Sequence, residues 1–248
     1  MLFDVISEMV GNASSQNNTN TSSVMTFNQR LGEAKNETTA NKDQQKKEKD
    51  ATPDQESFST FADLQFKTDP ELGNGFESLK EWTGKEKATL VYDSNFDSSS
   101  PVTLFEKVRG KPNVAIIVFV KEGDVFGAFY SIALTEKNKE YVDLNAFVFS
   151  FKSHGRCRVP QRFMVKEEKE EDTVVGFGDL EDAFYFVFGC SEGGFSVYGD
   201  EFITRCNCRD ASKVFEGITD TTLLGNDGSS EDNRRRNICT RVVAFAFE

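Results

Sequence analysis

Residues 113–120, "NVAIIVFV", and residues 125–134, "VFGAFYSIAL", decide the fold between them. The first is a continuous β-branched run, the pattern of a strand buried on both faces. The second follows after "KEGD" (121–124), a short turn-forming link. A glycine, Gly127, interrupts the second run right after Phe126. In a strand a glycine costs entropy and packs nothing, so it marks a bulge or a close approach by another part of the chain. Between Phe126 and Phe129, a missing side chain makes room for a large neighbouring ring. The other reading is a ligand lying against bare backbone.

Further strands are predicted on either side. They are "KATLVYD" (87–93), "NAFVFSF" (145–151), "DAFYFVFGC" (182–190), "GFSVY" (194–198), "EFITRC" (201–206) and "RVVAFAFE" (241–248). Helices are few. Phe76, Leu79 and Trp82 recur at helical spacing in "FESLKEWTG" (76–84), with Gly84 as the stop. In "SPVTLFEKVRG" (100–110), Ser100 reads as the N-cap, Pro101 as the first helical residue and Gly110 as the stop. Short strands joined by turns predict a mainly β chain, a two-sheet antiparallel β-sandwich with small peripheral helices. The acidic "VKEEKEEDT" (165–173) reads as a solvated loop, and "LLGNDGSSEDNRRRN" (223–237) as a long exposed loop or insertion.

Composition divides the 248 residues in two. Of 24 phenylalanines only Phe3 and Phe27 precede residue 58, so the rest of the chain holds the material for a phenylalanine-rich core. Residues 11–57 are dominated by Asn, Gln, Ser, Thr, Lys, Glu and Asp. Such a stretch buries too little apolar surface to offset chain entropy and is expected to be disordered. Within residues 1–10, Leu2, Phe3, Val5, Ile6 and Met9 fall near one side of a short interaction helix.

The net charge of −12 is spread over both parts: residues 1–60 carry six basic and nine acidic side chains. Nucleic acid is therefore not an expected partner, since that binding rests on neutralised phosphates. An anionic membrane surface is disfavoured for the same reason. The start of the chain lacks a basic n-region, and no stretch approaches 18 apolar residues. Five cysteines, an odd number without a framework, suit a reducing compartment. A cytoplasmic protein is expected. The triplets beginning at Asn12, Asn17, Asn20 and Asn36 are then chance matches to a glycosylation signal.

Candidate chemistry is sparse. His154, the only histidine, forms H-x-x-C with Cys157, and "CNC" supplies Cys206 and Cys208. With Cys190 and Cys239 these complete the possible soft ligands, and a zinc site needs four that converge. On one strand Cys206 and Cys208 share a face, where a C-x-C disulfide is strained. A cysteine hydrolase needs a base beside its thiolate, and only His154 can be that base. Asp93, Asn95 and Asp97 resemble half of a calcium loop, but Ser98 and Leu104 stand where glycine and glutamate are required. No catalytic-serine elbow, Walker loop or dinucleotide fingerprint is present. "NRRRN" (233–237), the one dense basic cluster, reads as a solvated loop or a contact for an acidic group. No catalytic, cofactor or metal residue is assigned.

In this order, "EWTGKEKATLVYDSNFD" (81–97), "VFGAFYS" (125–131), "NAFVFSF" (145–151), "GGFSVYGDEF" (193–202) and "RVVAFAFE" (241–248) resemble the TLDc domain. The resemblance covers about residues 80–248. It divides the chain into a low-complexity tail (1–57), a linker with a short helix (58–79) and a TLDc-like domain (80–248). It implies a β-sandwich in a cytosolic protein linked to oxidative-stress resistance. Several members of the family engage the vacuolar proton pump (V-ATPase), so pump subunits are the implied partners. The family has no defined active site, which implies a non-enzymatic interaction module without a cofactor. The alternative is a thiol-dependent enzyme or redox-active protein using Cys157 or Cys206/Cys208.

Overall fold

The computed structural model describes residues 70–98, 101–180, 183–199, 204–226, 230 and 237–248. The tail, the helix read at 1–10, Ser100 and "NRRRN" but for Asn237 lie outside these residues. Eleven strands are described: β1 Ala88–Asp93, β2 Val114–Val120, β3 Val125–Tyr130, β4 Lys139–Val142, β5 Phe147–Lys152, β6 Gln161–Met164, β7 Val174–Leu180, β8 Ala183–Cys190, β9 Gly193–Gly199, β10 Thr204–Arg209 and β11 Cys239–Phe247. Helix α1 spans Pro70–Thr83, α2 Pro101–Val108 and the short α3 Ala211–Val214.

All pairings are antiparallel. One sheet has the order β1-β11-β2-β3-β5-β6, the other β10-β9-β8-β7-β4. The chain is the two-sheet sandwich expected. The last strand returns to the middle of the first sheet, between β1 and β2.

Strand alternation explains the continuous apolar runs. Val114, Ile116, Val118, Phe126, Ala128 and Tyr130 point between the sheets, against Phe177, Phe186, Phe188, Phe195 and Val197. Ala115, Ile117, Phe129, Phe147 and Phe149 point outward, where Leu72, Phe76 and Leu79 of α1 cover them. The first sheet is thus buried on both faces. Phenylalanine fills both layers: Phe126 meets Phe195 edge-on at 5.6 Å between the sheets, and Phe76 of α1 lies 5.0 Å from Phe245 on the outer face. Such contacts add about 0.5–1.5 kcal/mol each to the burial itself.

Gly127 lies on the outer face, between Ile117 and Phe149 in the register. A Cβ there would sit 2.0 Å from the Ile116 carbonyl oxygen and 2.8 Å from the Phe149 ring. The glycine accommodates a ring and a pinched backbone under α1. Gly75 plays the same part from the helix side, since a Cβ on it would sit 2.4 Å from the Phe151 ring.

Helix α1 starts six residues before the apolar repeat begins, at Pro70 rather than Phe76. It ends as predicted at Gly84, with φ +66°. The Lys85 N–H donates to the Lys80 carbonyl at 3.2 Å and the Gly84 N–H to that of Glu81 at 3.3 Å, a Schellman closure. Three strands carry too little apolar pattern to be predicted: β4, β6 and β7. The strand expected at 201–206 is described from Thr204 to Arg209, so "CNC" lies wholly within it. The segment from 223 does not begin as an exposed loop: Leu223 and Leu224 are buried against the inter-sheet core.

Candidate functional site

Three loops and two strand ends meet at one corner of the sandwich, and they gather most of the chemistry the sequence offers. The β2–β3 link is a tight turn with Gly123 at φ +92°. It ends on Asp124, buried at 2 % exposure. After β5 the chain reverses through His154 (φ +49°) and Gly155 (φ +83°). This brings His154 Nδ1–H to Asp124 Oδ1 at 2.7 Å, the tautomer a carboxylate partner requires. Arg156 Nη2 is ion-paired to the same oxygen at 2.8 Å. It also donates to the Thr222 carbonyl at 2.9 Å and the Leu223 carbonyl at 3.0 Å. Asp124 and Arg156 therefore tie the three loops together. Sequence reasoning missed Asp124, which stood in "KEGD" as one more turn residue with nothing to mark its partners.

The thiols lie alongside. Cys206 and Cys208 share the inner face of β10, as their spacing predicted, and both are buried. The partner of the Cys206 thiol is not Cys208: it donates to the Asn237 carbonyl at 3.9 Å, just ahead of Cys239 at the start of β11. The backbone sets up that contact. Arg205 and Ile238 form an isolated bridge, and the Cys206 N–H donates to the Asn237 carbonyl at 3.0 Å. Burial first, and then Cys239, Cys208 and Glu122, push the Cys206 thiol well above its ordinary value. Burial, Cys239 and Asp124 do the same to Cys208.

The remaining candidates do not form a catalytic pair. The side chain of Cys157 packs against the inter-sheet core, and its N–H donates to Ser153 Oγ at 2.7 Å. His154 faces Asp124 rather than a thiol. Cys190 closes β8 near Lys169, which is ion-paired to Glu192. The aspartates of the half calcium loop are engaged. Arg241 takes both oxygens of buried Asp93, and Lys107 holds Asp97 at 2.8 Å. Among the described residues, no group of three or more His, Cys, Asp or Glu side chains is placed to hold a metal ion.

The raised thiols carry a sign. A folded state that holds its protons above the ordinary thiol value of 9.0 keeps that stability below pH 9 and loses it as pH rises further. Unfolding free energy measured by urea titration is expected to be flat to about pH 8.5 and to fall between pH 9 and 10. Cys206→Ala and Cys208→Ala should each flatten that fall. A fall as steep as the wild type's in both variants would assign it to other groups.

The sequence model of the TLDc domain matches residues 68–229. The chain belongs to the TLDc-domain family. The match opens two residues before α1 and stops ahead of β11, although β11 pairs on both sides inside the first sheet of the TLDc domain. No curated protein matches the chain.

Proposed function

We propose that this TLDc domain is a non-enzymatic protein-interaction module, acting in the cytoplasm in oxidative-stress resistance and binding cytosolic subunits of the vacuolar proton pump. Family membership over residues 68–229 carries the reading. Inference from family to function is associational, so the geometry of the corner matters beside it. The only histidine is held by a buried aspartate, the two best-placed thiols are buried and kept protonated, and the acidic turn is closed by Arg241 and Lys107. These side chains hold the fold together. A thiol-dependent enzyme using Cys157 or Cys206/Cys208 draws no support from this arrangement, which offers neither thiol of β10 as a ready nucleophile. Among the described residues no helix is long and apolar enough to cross a membrane.

Affinity capture with the full chain from a cell lysate, followed by mass spectrometry, tests the partner. Recovery of cytosolic pump subunits above a mock capture is the expected result. A capture that returns stable partners but no pump subunit would overturn the pump reading.

A further inference from the structure

We propose that residues 1–10 of this chain dock on the outer face of the second sheet, covering it as α1 covers the outer face of the first. Cys206, Phe195, Phe188 and Val175 point into the inter-sheet core. By strand alternation their neighbours Asn207, Ser196, Val187 and Gly176, which form one row across β10, β9, β8 and β7, point away from it. Gly178, Gly189 and Gly194 share that face, so much of it is bare backbone. Among the described residues the two hydrophobic clusters are the inter-sheet core and the layer under α1, and this face has none.

Two observations say that the bare strip takes a partner. Val187 is 3 % exposed, yet it joins neither cluster. Asn207 is 6 % exposed and its Oδ1 has no hydrogen-bond partner; Arg205 Nε, two residues away on the same face, is buried and has none either. A buried donor or acceptor left unpaired is costly until another group meets it. The occupant therefore brings apolar side chains, an N–H for Asn207 and an acceptor for Arg205, best a carboxylate.

Residues 1–10 have that chemistry. Leu2, Phe3, Val5, Ile6 and Met9 fall near one side, Asp4 and Glu8 supply carboxylates, and no Lys or Arg occurs before Arg30. The apolar segment nearest α1, "FSTFADLQF" (58–66), does not reach. Phe66 lies four residues ahead of Pro70 (70 − 66), a span of at most about 14 Å. Helix α1 sits on the far side of the first sheet, two layer spacings of about 10 Å each from the face in question. Residues 11–69 supply 59 residues of chain (69 − 10), several times the length needed. The tether also makes docking intramolecular, which raises the effective concentration of the segment at the face. The inference stands apart from the pump reading, since it concerns this chain alone.

The test places a photoreactive p-benzoylphenylalanine at Phe3 of the full chain, mixes it with isotope-labelled copies, irradiates and maps the cross-linked peptides. The expected product is a link within one chain, from position 3 to outward residues of β7–β10 such as Val187 or Ser196. It should be lost in Val5→Asp/Ile6→Asp and weakened in Asp4→Asn/Glu8→Gln, changes that leave the sandwich itself untouched. Links confined to other surfaces would overturn the proposal. So would links only between differently labelled chains, which would make a second copy the occupant, or a yield unchanged in Val5→Asp/Ile6→Asp.

Discussion

Gly127→Ala is expected to destabilise the domain by about 3 kcal/mol or more, the upper end of the range for overpacking a core. The added methyl would meet the Ile116 carbonyl oxygen at 2.0 Å, and that oxygen belongs to a strand paired on both sides. It cannot swing away as a side-chain end could. The Phe149 ring, 2.8 Å off on the other side, is itself held between Trp82 and Phe151. Gly84→Ala is the natural comparison. Nothing lies within 4 Å of the site, so only its φ of +66° is strained, and the loss should be about 1 kcal/mol. Urea unfolding of both variants measures the difference. If Gly127→Ala costs no more than Gly84→Ala, the close packing under α1 is not what the glycine serves.

The second large effect is at the β1 edge of the same sheet. Arg241→Met leaves Asp93 without its guanidinium in a site where the aspartate is 2 % exposed. Removing one partner of a buried ion pair costs about 3–5 kcal/mol, because the remaining charge is stranded. Asp93 also accepts the Asn95 N–H at 3.0 Å, and the Ser94 N–H donates to the Val242 carbonyl at 2.9 Å, so the turn after β1 should loosen with it. The double variant Asp93→Leu/Arg241→Met should recover most of the loss, since an apolar pair of similar size needs no solvation. A single variant that loses under about 1 kcal/mol, the range of a solvated surface pair, would show that the pair is wet and contributes little.

Legibility in the sequence followed burial. Strands β2, β3, β5 and β11 are buried on both faces or nearly so, and their unbroken apolar runs announced them. The edge strands β4 and β6 are four residues long and largely polar, so nothing in "KEYV" or "QRFM" sets them apart from a loop. In β7, Gly176 and Gly178 blur the alternation of "VVGFGDL". The place of β11 between β1 and β2 depends on pairings across more than 100 residues, which local patterning does not encode.

The candidate site divides the same way. That Cys206 and Cys208 share a face follows from the period of a strand. That the Asn237 carbonyl meets the Cys206 thiol, and that Asp124 holds both His154 and Arg156, depends on where distant loops land. Those are properties of the assembled sandwich. The residues that looked most like chemistry turned out to be the ones the loops use to hold one another.

The most direct test of the interaction-module account is a binding titration between the purified full chain and purified cytosolic pump subunits. It should be run with wild type and with a variant lacking all five cysteines (alanine at 190, 206 and 208, serine at 157 and 239), checked for cooperative unfolding. The account predicts saturable binding by both, with affinities within about twofold, or roughly 0.4 kcal/mol. No binding by the wild type, or binding lost in a folded cysteine-free chain, would contradict it.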